Sequence, residues 1–146
     1  MTSSGELVSR YLREAWGDGD GDGLDDLLSP DFCDHDAPPG YGTDLAEHRR
    51  LIDEMAAGVQ DRRLRVLAMV ADADSVAVRL ETTWLQRGDF FGVPADGRQL
   101  VLRSMDLYRI RDGRISESWH CEDVAGVLRQ LDDHSAGRPQ KSGHPS

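Results

Sequence analysis

Two short stretches late in the chain carry the side chains best suited to proton transfer. His120 lies in an alternating segment, residues 115–121, and an imidazole titrates near neutrality, so it is a candidate general base or acid. Asp106 lies in an otherwise apolar segment, which favours a pocket role in which its carboxylate orients the ring. Two other interpretations stay open. In one, His120 lies at the rim of the pocket or at a subunit contact. In the other, Asp106 faces outward and forms an ion pair with Arg103 or Arg79.

Whether these two residues meet depends on the Asp-Gly turn between their strands. A three-residue loop through Gly113 would place Asp106 diagonal to His120 on one face of the hairpin. A two-residue loop would break the parity of alternation, and Asp106 would then share a face with Trp119. In the first case the residues on one face are Ser104, Asp106, Tyr108, Ser118 and His120.

A segment rich in proline and glycine, residues 31–42, is predicted to be a loop that carries chemistry. Asp34 and His35 are neighbours in it, and a carboxylate beside an imidazole suits a substrate carbonyl or hydroxyl. The alternative is that these polar side chains only cap the turn before Pro38 and Pro39.

Aromatic side chains offer walls for a flat polycyclic ligand, since aromatic rings stack on such molecules. For each residue the alternative is ordinary core packing. The candidates are Trp16, Trp84, Phe90, Phe91, Tyr108 and Trp119.

The sequence does not predict a metal site. Residues 18–23 imitate the start of a calcium-binding loop, but Asp25 and Ser29 stand where an apolar residue and a bidentate glutamate belong. We interpret this run as a solvated acidic turn, with weak calcium binding as the alternative. Cys33 and Cys121 are far apart and form no metal-binding or disulfide pattern.

The order of elements predicts an α+β fold. Apolar residues at helical spacing indicate helices at residues 4–16, 24–28 and about 43–60, and alternation then indicates strands at about 64–70, 76–84, 99–110 and 115–121. A short closing helix is expected to end at Leu131. Successive hairpins imply a mostly antiparallel sheet that wraps the N-terminal helices. We therefore expect one domain over residues 1–131 and a flexible polar tail over residues 132–146.

Composition and charge exclude several partners. The chain of 146 residues has 27 acidic and 17 basic residues and a net charge of −10, which disfavours nucleic acid and anionic membrane surfaces. No stretch is long and apolar enough for a membrane span, and the first residues lack the basic start and apolar run of a signal peptide. A cytoplasmic location is the expectation.

Several of these segments, taken in order, resemble the SnoaL-like polyketide (ester) cyclases of the nuclear transport factor 2-like superfamily. The likeness runs from about Leu7 to Leu131. It is carried by Phe32-Cys33-Asp34-His35 after Ser29-Pro30, by Phe91-Gly92-Val93-Pro94 with Gly97-Arg98, by the run from Asp106 through the Asp112-Gly113 turn to Ile115, by Trp119, and by residues 123–131.

The resemblance implies a cone in which a bent sheet and helices enclose an apolar pocket, and two such cones pair as a homodimer. It also implies an aldol ring closure of an aromatic polyketide without metal or cofactor. The family's acidic acid/base position falls on His120, its histidine position on Asp106 and its asparagine position on Asp34. The residue types of this chain differ from the family pattern at all three positions. The family resemblance also favours the register in which Asp106 and His120 share one face, and a bulge at Gly113 would produce that register.

From these features we expect a cofactor-independent enzyme of secondary metabolism, such as antibiotic biosynthesis, acting on a hydrophobic polyketide-like molecule. His120 would take the proton, aligned by Asp106. Alternatives in the same pocket are hydroxylation, epoxide hydrolysis, dehydration or isomerisation, and a module that binds a small molecule without catalysis. The expected substrate contacts are Asp34, His35, Ser104, Tyr108, Trp119, Trp16 and Phe91.

Overall fold

The computed structural model describes residues 2–87, 94 and 96–141, and it has helices packed against one curved, unclosed sheet. The predicted α+β class is confirmed. The strand order is β1-β5-β4-β3-β2, with β1 parallel to β5 and the other neighbours antiparallel. The elements are α1 (Ser4–Tyr11), a π-helical turn (Leu12–Gly17), α2 (Leu24–Leu27), β1 (Leu28–Asp34), α3 (Leu45–Gly58), β2 (Val59–Ala71), β3 (Ser75–Gln86), β4 (Gln99–Arg111), β5 (Arg114–Glu122) and α4 (Val124–Lys141).

Helix α1 begins at the predicted serine cap. The Ser3 hydroxyl accepts a hydrogen bond from the backbone N–H of Glu6, and the Glu6 carboxylate accepts one from the backbone N–H of Ser3. This reciprocal pair satisfies two N–H groups that would otherwise lack partners. The π-helical turn then extends the helix to Gly17 and places Trp16 beside the interior cavity.

Strand β1 was not expected from the sequence, in which Ser29-Pro30 indicated the end of a helix and residues 31–42 indicated a loop. The strand lies at the edge of the sheet, where proline is tolerated since one side of the strand needs no ladder hydrogen bonds. Its pairing with β5 aligns Asp34 with Ser118, and the backbone N–H of His35 donates to the carbonyl of Ser118 at 2.9 Å. The predicted loop therefore begins with a strand that fixes Asp34 beside β5.

The hairpin of β4 and β5 has a two-residue turn, formed by Asp112 and Gly113 with φ values of 53° and 74°. With this turn alone, Asp106 and His120 would lie on opposite faces of the hairpin. A bulge at Ser116 adds one residue to β5 and returns the two side chains to the same face. Asp106 is therefore directly opposite His120. The predicted shared face is present, but the diagonal placement and the bulge at Gly113 were wrong.

The core lies between the inner sheet face and the N-terminal helices. A smaller cluster joins α4 to the sheet, where Val127 and Leu131 pack with Trp84 and Leu100. Helix α4 continues to Lys141, past the predicted end at Leu131. None of the helices in the described ranges is long and apolar enough to cross a membrane. The larger cluster contains Leu7, Val8, Tyr11, Leu12, Ala15, Leu24, Leu27, Leu28, Phe32, Ile52, Val76, Val78, Leu80, Tyr108 and Ile115.

Candidate active site

A cavity of about 680 Å³ lies between the inner face of the sheet and the first and third helices. Its size is that of a pocket for a drug-sized molecule. Leu80, Thr82 and Leu102 line it from the sheet, while Leu51 and Met55 line it from α3. The predicted site residues that line it are Trp16, Asp34, Ser104, Asp106, Tyr108 and His120, and Trp119 also borders it.

Four side chains on β4 and β5 form a continuous polar chain in this cavity. The Tyr108 hydroxyl donates to Oδ2 of Asp106 at 2.5 Å, and Oδ1 of Asp106 lies 2.5 Å from Nδ1 of His120. On the other side of the ring, Nε2 of His120 lies 3.1 Å from Oε2 of Glu122. The histidine is thus held between two carboxylates, of which Asp106 is nearly buried and Glu122 is partly exposed. Alternation places all four residues on the inner face.

This arrangement keeps the imidazole protonated. Burial alone would lower the pKa of His120, but the hydrogen bonds and negative charges of Asp106 and Glu122 outweigh burial and raise it to about 10. At neutral pH both ring nitrogens therefore carry protons, and both act as donors. Burial raises the pKa of the Tyr108 hydroxyl well above its usual value, so this hydroxyl stays protonated and donates to Asp106.

A second polar group, on the helices, faces the same part of the cavity. Nε1–H of Trp16 donates to the Tyr11 hydroxyl at 2.7 Å, and that hydroxyl lies 2.7 Å from Nε2 of His48. Since the hydroxyl accepts from the tryptophan, its own proton points to Nε2, and we assign the ring proton of His48 to Nδ1. Nδ1 lies 3.6 Å from Oδ2 of Asp34, slightly beyond a hydrogen bond.

Asp34 links the two polar groups. Its Oδ1 accepts from the backbone N–H of Asp36 at 3.1 Å and from the Ser118 hydroxyl at 3.4 Å. Burial would raise the pKa of Asp34, but His48 and the N–H of Asp36 outweigh it and hold the pKa below its usual value. Asp36 in turn accepts from the backbone N–H of His120 at 2.8 Å. The residues after β1 therefore support the strand that carries His120.

Tyr11, His48 and Glu122 were missed as site residues. Tyr11 and His48 belong to the apolar stripes of their helices, and both are buried. A lone polar residue at a core position is the sequence signal that would have singled out His48, because such groups need partners. The sequence pattern places Glu122 at the start of the last helix, but β5 extends to include it.

One predicted substrate contact, His35, was placed on the wrong side of the sheet. The rings of His35 and Trp119 stack at 4.6 Å with an angle of 9°, and Nε2 of His35 lies 2.8 Å from Oε2 of Glu117. Since Asp34 and Ser118 are aligned and face inward, the next residues along each strand face outward. His35 therefore lies outside the cavity, and Trp119 borders it while packing its ring on the outer face. Phe90 and Phe91 lie outside the described residues.

The acidic turn after the first helix is a solvated loop. Asp18, Asp20 and Asp22 are exposed, and Oδ1 of Asp20 accepts from the backbone N–H of Asp22 at 2.9 Å. Within the described ranges no group of three or more histidine, cysteine, aspartate or glutamate side chains is arranged to hold a metal ion. Cys33 and Cys121 are free thiols.

Comparisons with known proteins match almost the whole domain. A family model described as SnoaL-like polyketide cyclase matches residues 6–131. The structure of TsrD from Streptomyces laurentii is 28% identical, with a TM-score of 0.76 over 87% of this chain and 92% of that one. IdmH from Streptomyces antibioticus, provisionally assigned as a polyketide cyclase, is 29% identical, with a TM-score of 0.75 over 88% of this chain and 97% of that one.

AclR from Streptomyces galilaeus, provisionally assigned as a hydroxylase, is 25% identical to this chain. The match has a TM-score of 0.71 and covers 89% of this chain and 87% of AclR. No curated protein sequence matches this chain.

Proposed function

Because the chain belongs to the SnoaL-like polyketide cyclase family, we propose that it is a cyclase of secondary metabolism. The proposed reaction is an intramolecular ring closure of aldol type on an aromatic or polycyclic, polyketide-like intermediate. Such a closure is an isomerisation and requires only proton transfer. The observation that carries the proposal is the chain Tyr108–Asp106–His120–Glu122 inside a cavity of about 680 Å³.

We propose a role for His120 that differs from the one the sequence suggested. A ring with a pKa of about 10 is already protonated at neutral pH and is unsuited to take a proton. As an imidazolium it is instead a donor for the oxygen on which negative charge develops. A positioned donor of this kind contributes roughly 10²- to 10³-fold to a rate.

Glu122 is the carboxylate best placed to serve as the base. Both oxygens of Asp106 are engaged, one by Tyr108 and one by His120, whereas the Glu122 carboxylate contacts only the His120 side chain among the described residues. Glu122 is also partly exposed at the cavity, so a substrate carbonyl oxygen can replace its carboxylate at Nε2–H of His120. Asp106 is then a positioning residue that holds the ring and keeps it charged.

The proposed ring closure moves one proton, first from carbon to Glu122 and then from Glu122 to oxygen. Glu122 removes a proton from the carbon beside the bound carbonyl, and His120 stabilises the enolate oxygen. The enolate carbon attacks a second carbonyl of the same molecule and forms the carbon–carbon bond. The new alkoxide then takes back the proton held by Glu122, which restores the site.

The proposal is tested by the first half of this reaction. The probe is 2-acetylanthraquinone in D₂O buffer, and deuterium incorporation into its acetyl group is followed by mass spectrometry. Deuterium should enter the acetyl group faster with wild-type protein than in buffer alone. Glu122→Gln and His120→Gln should each lower this catalysed part of the rate roughly 100-fold, the usual contribution of a positioned acid or base. Glu117→Gln is the matched control, because Glu117 lies on the same strand and contacts His35 on the outer face. Equal rates in all four proteins and in buffer would reject the proposal.

A second candidate reaction is hydroxylation at the same site, favoured by the likeness to AclR. The same enolate would then add molecular oxygen to form a hydroperoxide. An external two-electron reductant, such as a reduced flavin or a thiol, would cleave the O–O bond and give the alcohol and water. An oxygen electrode distinguishes the two, because ring closure consumes no oxygen whereas hydroxylation consumes it in proportion to product.

We further propose that the protein is a homodimer paired through its sheets. Met105 and Leu107 alternate with the inward Asp106 and Tyr108, so they lie on the outer face, with exposed fractions of 59% and 43%. Val70 on β2 is 75% exposed. Apolar side chains exposed on a sheet face are typical of an interface. A cytoplasmic location remains part of the proposal and depends on the sequence composition alone.

A further inference from the structure

An arginine on β2 points into the cavity because of a bulge. The register with β3 shifts by one residue between Gln60 and Arg63, and Asp61 takes a left-handed φ of 52°. This bulge sets Asp61 and Arg62 together against Trp84. Beyond it, Arg62 shares the inner face with Leu64, two residues along the strand, and both side chains line the cavity. From the sequence alone, this stretch was expected only to be the boundary between a helix and a strand.

The guanidinium of Arg62 has aromatic and backbone neighbours but no carboxylate partner among the described residues. Its Cζ lies 5.8 Å from the centroid of the Trp16 ring. Its Nη2 packs against Gly19 so closely that a Cβ on that glycine would lie only 3.3 Å away. Burial lowers the pKa of Arg62, and no charge on the described part of the chain opposes that effect. A half-buried cation without an anion is costly, which points to an anion supplied by a ligand.

Arg62 and the proton-transfer residues lie at different ends of one aromatic wall. The contacts run from Arg62 to Trp16, from Trp16 to the Tyr11 hydroxyl at 2.7 Å, and from Tyr11 to Tyr108 at 5.7 Å between ring centroids. Tyr108 then donates to Asp106. A ligand lying along this wall would contact both ends.

The remainder of the cavity carries more negative than positive charge. Four carboxylates line it, those of Asp34, Asp106, Glu122 and Glu54, and the imidazolium of His120 is already held between two of them. The whole chain has a net charge of −10. Arg87 also borders the cavity, but it is exposed. A negative group on a ligand is therefore favoured at Arg62 and disfavoured beside Asp106, so this charge pattern would fix the direction in which an elongated molecule binds.

We propose that Arg62 binds a carboxylate of the substrate, at the end remote from the ring-closing carbonyl. The inference rests on the proposed function, since it assumes that the cavity holds a flat polycyclic molecule. It specifies the substrate class further, as a free acid at that end rather than an ester or amide. Guanidinium suits this group because it pairs with a carboxylate through two parallel hydrogen bonds.

The test compares two probes that differ only in charge, anthraquinone-2-carboxylate and anthraquinone-2-carboxamide, by calorimetry or tryptophan quenching. Wild type should bind the carboxylate roughly 10- to 100-fold more tightly, as expected for a charge-assisted contact in a half-buried site. Arg62→Gln should remove this preference while leaving carboxamide affinity within about two-fold. Arg63→Gln is the matched control, because it makes the same change one residue along the strand, where the side chain is exposed.

Each outcome decides the inference. If wild-type protein binds the carboxamide as tightly as the carboxylate, the inference is overturned. This comparison uses only the wild-type protein, so it does not depend on whether a variant folds. A preference that survives in Arg62→Gln also overturns it. If Arg62→Gln does not fold, Arg62→Lys should keep a preference for the carboxylate of reduced size, and an unchanged or inverted preference counts against the inference. Since binding needs no proton transfer, these results are independent of deuterium exchange, which tests the proposed reaction.

Discussion

Asp106 and His120 face each other directly across β4 and β5, with 2.5 Å between Oδ1 and Nδ1. Neither residue type is unusual in a strand. The positive charge of the histidine ring comes from the pairing of the two residues. Because Glu122 holds the other ring nitrogen, the histidine is a cation clamped between two carboxylates at a cavity wall.

The first prediction concerns the charge of the ring. Asp106→Asn removes the nearer carboxylate while keeping the shape of the side chain, so the pKa of His120 should fall from about 10 towards neutrality. An NMR titration that follows the histidine ring signals measures this pKa. Glu117→Gln should leave that pKa unchanged, and an unaltered His120 titration in Asp106→Asn would show that the pair does not control the ring.

The second prediction concerns stability against pH. The folded-state pKa of His120 is raised above its unfolded value of about 6.5, so its contribution is fully present below about pH 6.5 and is lost as pH rises towards 10. The free energy of unfolding, from urea titrations, should therefore fall more steeply between pH 6.5 and 10 in wild type than in His120→Gln. Parallel curves would contradict this.

The third prediction concerns the buried group on the helices. Tyr11→Phe removes the hydroxyl that joins Trp16 and His48, and it leaves two polar nitrogens without their partner. The free energy of unfolding should fall by roughly 1–3 kcal/mol, the usual cost of leaving buried polar groups unsatisfied. Chemical denaturation measures it, and a variant as stable as wild type would show that water replaces the hydroxyl.

The fourth prediction concerns assembly. Leu107→Lys places a charge on the outer sheet face without touching the inward-facing Asp106, so it should turn the proposed dimer into a monomer. Sedimentation velocity at micromolar concentration reports the change. Ala125→Lys on α4, an exposed position away from the sheet, is the control and should stay dimeric. A wild type that sediments as a monomer would contradict the proposed dimer.

The sequence predicted much of the fold because alternation is a local signal. Alternation grouped Asp106 with Tyr108 on β4 and Ser118 with His120 on β5. The family resemblance favoured the register in which all four share a face, and the strand pairing confirms that shared face. It did not predict the bulge at Ser116, because a bulge changes the count of residues without leaving a mark in the alternation. For this reason the expected diagonal placement was wrong.

The remaining errors have a common origin in contacts between distant segments. Strand β1 exists through its pairing with β5, and Pro30 conceals it in the sequence. That pairing turns Asp34 inward and His35 outward, which local composition does not distinguish. His48 and Arg62 became candidates only when helix and sheet were brought together around one cavity.

The proposed reaction depends most on His120 acting as a protonated donor, and the pH profile of deuterium exchange tests this role directly. With 2-acetylanthraquinone and wild-type protein, the catalysed rate should hold through neutral pH and fall as pH rises through about 10, where the ring loses its proton. A rate that instead rises through about pH 6.5 and then stays level, as for a neutral imidazole base, would contradict the account.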